Sequence, residues 1–191
     1  LAVNSLLEVY ELSASYVQGL EECDVILEPI LGVKTTDLLY PDISGRFSDE
    51  EASILLRETR YAQPLLISME YALSRVWISR GHYPQVVLGH SLGEYAAAVV
   101  AGVMSLEDCL RVVCERGRLM HENEGCRGCM VAIRLSQSEA ESAISLSGMS
   151  HCVSVGAVNG ERSVVLSGSE EGVTAVLRSE YLASVGHKRL N

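Results

Sequence analysis

The sequence of 191 residues lacks the features that would place it in a membrane or a secretory pathway. Its longest apolar stretch without charge, Tyr95 to Leu106, is far shorter than the roughly 20 residues that cross a bilayer. The chain begins at Leu1 and shows no basic segment followed by an apolar run and a small-residue cleavage site. We expect no membrane span and no secretory leader, and we expect the chain to be a piece of a longer protein.

Positive charge is also scarce. Lysine and arginine number 15 against 25 aspartate and glutamate residues, which gives a formal net charge of −10 at pH 7. This balance argues against non-specific binding of nucleic acid, and any anionic ligand has to rely on local arginines rather than on the overall field. One stretch is locally rich in arginine, with Arg111, Arg116, Arg118, Arg127 and Arg134.

The six cysteines form neither a disulfide framework nor a metal-binding pattern. They are scattered along the chain, at Cys23, Cys109, Cys114, Cys126, Cys129 and Cys152. Cys126 and Cys129 make a single C-x-x-C motif without the second pair or the paired histidines that a zinc site needs. We therefore expect no metal site, and reduced, mostly buried thiols in a protein of the cytoplasm.

The strongest feature present is a G-x-S-x-G box, GHSLGE at residues 89–94. The apolar Val86-Val87-Leu88 precedes it and the alanine-rich Tyr95 to Val103 follows it, so the context predicts a strand, a tight turn and a helix. This order is typical of a nucleophile elbow, which presents Ser91 at a helix N-terminus where backbone N–H groups stabilise an anion. Both glycines of the box are expected to be places where a Cβ would collide with a neighbouring element. The alternative is an ordinary glycine-rich turn between a strand and a helix.

The residues before the box are expected to form helices joined by irregular segments, up to about Gly81. Ser48-Asp49-Glu50-Glu51 is a capping box that predicts a helix through about Arg60, and Gln63-Pro64 predicts the start of the next. From Leu65 to Ser79 the sequence is apolar almost all round, which predicts a buried central helix.

After the box, Ser105 is expected to start a helix that runs to about Glu122, and the segment from Glu122 to Gly128 is predicted to be a hinge. The remaining pattern predicts strands and helices in the order of a ferredoxin-like subdomain, with a tight turn at Asn159-Gly160. These elements are a strand at 130–135, a helix at 136–147, strands at 153–159 and 163–168, and a helix at 170–183. A last strand should be running at 187–191, where the sequence stops.

Three segments resemble, in order and spacing, the acyltransferase domains of type I polyketide and fatty-acid synthases and the related malonyl-CoA:acyl-carrier-protein transacylases. They are ETRYAQPLLISMEYALSRVW at 58–77, GHSLGEYAAAVVAGVMSLEDCLRVVCERGRLM at 89–120 and AVNGERSVVLSG at 157–168. The resemblance covers nearly the whole chain and implies an α/β acyltransferase fold, with an α/β-hydrolase-like core subdomain and a small ferredoxin-like subdomain. The core is expected at 1–127, without its first strand and C-terminal part, and the small subdomain at 128–191, without the end of its last strand.

The resemblance also implies a reaction in two steps. Ser91 would attack the thioester of malonyl-CoA, hold the malonyl group as an ester, and release it to the phosphopantetheine thiol of an acyl carrier protein. The Leu92 backbone N–H is expected to supply one donor of the oxyanion hole. CoA then enters as a substrate and no cofactor stays bound, while a ketosynthase is among the expected neighbouring domains. Leu92 and the segment 58–63 are similar to those of malonyl-type domains, although Arg60 departs from the glycine common there.

Four further residues match positions of that family. Arg116 matches the arginine that pairs with the free carboxylate of the extender unit; the alternative is that it neutralises Glu115 or caps a helix end. Gln63 matches a glutamine near the floor of the site, although it also suits the start of a helix. His90, beside the nucleophile, is expected to pack and hydrogen-bond rather than act as the base. Asn159 is placed near the cleft by the resemblance, and a tight hairpin is its simpler explanation.

The family's catalytic histidine would lie beyond Asn191, and its Gly-Gln-Gly strand upstream of Leu1, so this stretch alone is expected to be inactive and to aggregate. His187 is near the right place in sequence but falls on an edge strand, which argues against it as the base. Two other classes stay open. An α/β-hydrolase shares the G-x-S-x-G box but needs strands alternating with helices after Arg118. A non-catalytic remnant that only contacts a carrier or a synthase neighbour predicts no acylation of Ser91.

Overall fold

The computed structural model of the chain describes residues 1–122, 128–179, 182 and 185–190. The chain divides into two compact units, Leu1–Asn123 and Glu124–Asn191. Most of the predicted hinge at 122–128 lies outside the described residues, and so do Cys126 and Arg127. None of the helices among the described residues is long and apolar enough to cross a membrane.

Helices make up the first unit. Their bounds are α1 Leu7–Leu12, α2 Ala14–Leu31, α3 Thr35–Leu39, α4 Pro41–Ser44, α5 Asp49–Leu55, α6 Thr59–Ser79, α7 Gly93–Val100 and α8 Leu106–Glu122. The prediction of helices up to about Gly81 is confirmed. The predicted helix start at Ser105 is also confirmed, because its hydroxyl accepts a hydrogen bond from the Asp108 N–H at 3.0 Å and caps α8.

The capping box at Ser48 forms as predicted, but the helix that it starts is shorter. Ser48 Oγ accepts a hydrogen bond from the Glu51 N–H at 3.3 Å, and the Glu51 carboxylate accepts one from the Ser48 N–H at 2.9 Å. α5 nevertheless ends at Leu55 instead of near Arg60. The capping box fixes where a helix begins and carries no information on its length.

The central helix α6 begins earlier than the sequence indicates. Its first residue is Thr59, so the predicted start at Gln63-Pro64 is wrong. Pro64 lies inside the helix and is buried, and it cannot donate a backbone hydrogen bond there. α6 packs against α2, α7 and α8, which confirms its central position, although Trp77 near its end is 59% exposed.

Two groups of buried side chains surround α6. One group joins α6 to α2, α3 and the adjoining residues, and includes Tyr16, Leu20, Leu38, Tyr40 and Leu65. The other joins α6 to α2, α7 and α8, and includes Cys23, Leu27, Ile67, Leu110 and Val113. The second group holds the N-terminal half of α6 against α8, because Ile67 packs there with Leu110 and Val113.

The predicted strand at Val86-Val87-Leu88 is not formed among the described residues. The segment is irregular, and Val86 and Leu88 are 86% and 96% exposed. A strand needs the backbone of a neighbour to complete its hydrogen bonds, and no described residue supplies one here. The turn into α7 forms all the same.

The described residues of the second unit form a sheet and two helices. Its elements are β1 Gly128–Ile133, α9 Gln137–Leu146, β2 Val153–Gly160, β3 Ser163–Ser169, α10 Glu170–Arg178 and β4 His187–Leu190. The strands are antiparallel in the order β2-β3-β1-β4, and the helices cover the face that carries Val131, Ile133, Val164 and Leu166. The predicted order of a ferredoxin-like subdomain is therefore observed, with α10 ending at Arg178 rather than near residue 183.

The hairpin between β2 and β3 turns two residues later than predicted. Gly160 pairs with Ser163, so Glu161 and Arg162 form the turn. The register between the two strands shifts between Val158 and Gly160, which leaves Asn159 inside β2 at this irregularity. The prediction of a turn at Asn159-Gly160 is wrong, because the pairing of the strands decides the register.

Candidate active site

The backbone at Ser91 has the geometry of a nucleophile elbow. Ser91 has φ 52°, in the left-handed region that a non-glycine residue adopts only under constraint. α7 begins two residues later, at Gly93, and the Ser91 side chain is exposed. The turn therefore presents the serine hydroxyl at the N-terminus of a helix, as the motif predicts.

Of the two glycines in the box, only Gly89 has no room for a Cβ. A Cβ at Gly89 would lie 2.3 Å from the Glu94 backbone nitrogen and 2.4 Å from the Gly93 carbonyl carbon. A Cβ at Gly93 would meet nothing closer than the Glu70 carboxylate oxygens, at 3.8 and 3.9 Å. The expected collision is thus confirmed at Gly89 and wrong at Gly93, because Gly93 opens toward a side chain and not toward backbone.

The first turn of α7 leaves a donor available beside the serine. The Gly93 N–H donates to the His90 carbonyl at 3.0 Å, and the Glu94 N–H donates to the Ser91 carbonyl at 3.2 Å. No backbone carbonyl of the described residues accepts a hydrogen bond from the Leu92 N–H. This N–H lies directly after the serine, where an oxyanion donor is needed.

Glu70 is a charged group next to the elbow that the sequence analysis missed. One oxygen of its carboxylate is buried and has no hydrogen-bond partner among the described residues. Burial raises the pKa of this carboxyl above its usual value. The signal in the sequence is that Glu70 is the one acidic residue between Leu65 and Ser79.

Arg116 and Gln63 are brought together by the packing of α6 against α8. The Arg116 guanidinium donates a hydrogen bond from Nη1 to Gln63 Oε1. Glu115 pairs with Arg118 instead, at 2.7 Å, so the alternative role of Arg116 as its partner is not observed. Among the described residues no carboxylate lies within ion-pair distance of Arg116, whereas Arg111 on the same helix pairs with Glu107 at 2.8 Å.

Gln63 is nine-tenths buried and its amide is held by three side chains. Its Nε2 donates to Thr59 Oγ1 at 2.6 Å and to Met120 Sδ at 3.3 Å, while its Oε1 accepts from Arg116. Gln63 lies within α6, so it does not act as the helix start that the sequence allowed. Met120 was missed because it lies 57 positions from Gln63 in the chain. Thr59 was missed because a threonine one helical turn before a glutamine carries no signal of its own.

A close contact between helices sets the position of Arg116. A Cβ at Gly117 would lie 3.0 Å from both the Arg60 Cα and the Thr59 carbonyl oxygen. A Cβ there would require a shift of a few tenths of an ångström between the two helices, so glycine at this position favours the close approach of α8 to the first turn of α6. The neighbouring residue Arg116 is therefore carried within reach of Gln63.

The remaining candidates lie at the elbow and in the second unit. His90 is exposed, and Asn159 lies in β2 of the second unit. His187 lies in β4, where its Nδ1 is 3.2 Å from the Val185 carbonyl oxygen.

The described cysteines are free thiols. Cys23, Cys109 and Cys114 are buried in the first unit, and burial raises the pKa of Cys109 and of Cys114 to about 11. Cys129 and Cys152 are partly exposed. Thiols with raised pKa values are poor nucleophiles, so the buried cysteines do not compete with Ser91 as a reactive group.

Comparisons with known proteins agree on one family. The model of the acyl transferase domain family matches residues 7–188. The PKS-NRPS hybrid synthetase ATPKS of Aspergillus niger is 41% identical over 143 residues, which are 75% of this chain and 7% of that protein. The solved acyl transferase domain of ZmaA is 31% identical with a TM-score of 0.89, over 100% of this chain and 43% of that one. The malonyl CoA-acyl carrier protein transacylase of Coxiella burnetii is 28% identical with a TM-score of 0.81, over 98% of this chain and 57% of that one.

Proposed function

This chain belongs to the acyl transferase domain family of type I polyketide synthases, and on that premise we propose that it loads a malonyl-type extender unit onto an acyl carrier protein. The chain spans about half the length of the solved relatives and a small part of the synthetase. The proposal therefore concerns the whole protein that contains this sequence.

Ser91 is the proposed nucleophile. Its oxygen attacks the thioester carbonyl of malonyl-CoA, the new C–O bond forms, and the C–S bond breaks to release CoA with the serine proton on sulfur. The Leu92 N–H donates to the oxyanion of each tetrahedral intermediate. The general base that carries the proton is assigned to a group outside the described residues, as the resemblance to the family implies.

Arg116 is the proposed partner of the free carboxylate on the acyl group. The observation that carries this assignment is its charge balance. Arg111 and Arg118 on the same helix pair with glutamates, whereas among the described residues Arg116 hydrogen-bonds the neutral amide of Gln63 and pairs with no carboxylate. A guanidinium keeps its charge at all working pH values and offers two parallel donors to a carboxylate.

The second half-reaction needs a thiol acceptor. We assign this role to the phosphopantetheine arm of an acyl carrier protein, whose sulfur attacks the Ser91 ester and frees the serine. A ketosynthase is the proposed neighbour that uses the loaded unit. No bound cofactor is needed for these steps, and the cytoplasm is the proposed compartment.

The test is acyl transfer by the full-length protein, with labelled malonyl-CoA and a carrier protein that bears phosphopantetheine. We expect label on the carrier, and none when Ser91→Ala replaces the wild type, because the serine is the acyl acceptor. Label that accumulates only as free malonate would favour a hydrolase. A protein that never carries label on Ser91 would overturn the proposal in favour of a non-catalytic remnant.

A further inference from the structure

The donors and acceptors around Gln63 allow its amide a single orientation. A thioether sulfur can only accept a hydrogen bond and a guanidinium can only donate. The observed arrangement satisfies both, with Nε2 toward Met120 Sδ and Oε1 toward Arg116. If the amide turned over, its N–H groups would face the guanidinium N–H groups and its oxygen would face the sulfur. These two contacts therefore exclude the reversed amide.

Thr59 supplies the third contact and ties the amide to the first turn of α6. The Thr59 hydroxyl lies one helical turn before Gln63 and accepts from Nε2 at 2.6 Å. With Met120 on α8, both N–H groups of the amide are used. Because Gln63 is only 7% exposed, water has little access to replace either partner.

We propose that Thr59 and Met120 are positioning residues that hold Gln63 so that its oxygen orients the Arg116 guanidinium. The Arg116 donors not used by Gln63 then stay directed to one place, where the carboxylate of an acyl group binds. This inference rests on the proposed function, since it requires that Arg116 receives that carboxylate. It assigns selectivity for thioesters with a free carboxylate to residues that do not touch the substrate.

The reason that orientation matters is the planarity of both groups. A carboxylate accepts two parallel hydrogen bonds from a guanidinium only when the two planes align. A guanidinium free to rotate still attracts the carboxylate but loses one of the two bonds for part of the time. A neutral acyl group, such as acetyl, makes no use of this alignment.

The experiment measures kcat/KM of the full-length protein for malonyl-CoA and for acetyl-CoA with Thr59→Val, Thr59→Ser and Met120→Leu. Thr59→Val keeps the branched shape but removes the acceptor, and we expect its malonyl kcat/KM to fall about tenfold at most. Acetyl transfer should stay within about twofold, because the acetyl group has no carboxylate. Thr59→Ser keeps the hydroxyl and should restore the malonyl preference. Met120→Leu removes a weaker acceptor and should give a loss of about threefold.

A role in folding alone would lower transfer of both acyl groups together and would not be rescued selectively by serine. An unchanged ratio of malonyl to acetyl kcat/KM in both Thr59→Val and Met120→Leu would overturn the inference. Failure of this inference is distinguishable from failure of the proposed function. If the inference alone fails, the wild type still prefers malonyl-CoA and Arg116→Ala removes that preference. If the proposed function fails, the wild type does not prefer malonyl-CoA and Arg116→Ala changes nothing in that respect, so the inference fails as well.

Discussion

The elbow at Ser91 and the group around Arg116 are built by different means. The elbow is defined by backbone conformation. Ser91 has a left-handed backbone and an exposed side chain, and Gly89 has no room for a Cβ. The group around Arg116 is held together by hydrogen bonds between side chains. Gln63 is buried there, and both polar atoms of its amide have a partner. In the proposed function, reactivity and selection are therefore assigned to separate groups of residues, and each group can be altered without the other.

The largest effect on activity is expected from the replacement of Arg116. Arg116→Ala removes charge-assisted hydrogen bonds worth about 3 kcal/mol, so kcat/KM for malonyl-CoA should fall about 100-fold. Acetyl transfer should be spared or rise, since the elbow is untouched. Arg111→Ala is the matched control, because that arginine lies on the same helix but pairs with Glu107. Equal losses for both acyl groups would sink the carboxylate assignment.

The second prediction disturbs the elbow and leaves the Arg116 group intact. Gly89→Ala places a Cβ 2.3 Å from the Glu94 nitrogen, so the free energy of unfolding should fall by about 3 kcal/mol. Gly93→Ala, where the nearest atoms are 3.8 Å away, should be neutral or stabilise by up to about 1 kcal/mol as the helix gains alanine. Thermal unfolding of both variants measures this contrast. A Tm for Gly89→Ala equal to the wild type would mean that the turn is not constrained by space.

The third and smallest prediction concerns the carboxyl beside the elbow. Burial raises the pKa of Glu70 above its usual 4.5, so the folded state binds this proton more tightly than the unfolded state. The free energy of unfolding therefore decreases as pH rises from below 4.5 through the raised pKa, and the penalty is complete above it. Glu70→Gln should remove that penalty and stabilise by less than about 1 kcal/mol at pH 7, since solvent also screens this partly exposed group.

The control for this prediction is the pH itself. Well below the usual pKa of 4.5 the carboxyl is neutral in both states, so Glu70→Gln and the wild type should unfold at similar temperatures. A gain of the same size at both pH values would show that the effect comes from packing and not from charge.

Features with a local cause could be predicted from the sequence. The capping hydroxyls of Ser48 and Ser105 act on residues three positions ahead, and both form as predicted. The elbow at Ser91 is also local, because Gly89 and the start of α7 at Gly93 both lie within two residues of the serine. Two features that depend on strand pairing were not predicted correctly, namely the strand at Val86-Val87-Leu88 and the turn after β2.

In the candidate site too, the sequence indicates individual residues but not the contacts between them. Arg116 and Gln63 were singled out by resemblance, but their direct contact depends on how Gly117 lets α8 approach α6. Thr59 and Met120 carry no signal of their own, since a threonine at a helix start and a methionine near a helix end are ordinary. Their role is visible only from the orientation of one amide.

The central claim is that Ser91 reacts and Arg116 selects, and a competition experiment tests it most directly. The full-length protein is mixed with equal amounts of malonyl-CoA and acetyl-CoA, and the ester is located by mass spectrometry on the peptide that contains Ser91. We predict a malonyl ester on Ser91, in at least about tenfold excess over acetyl, since the arginine contributes more than 1.4 kcal/mol. Acetyl and malonyl esters in equal amounts, or an ester on another residue, would contradict the account.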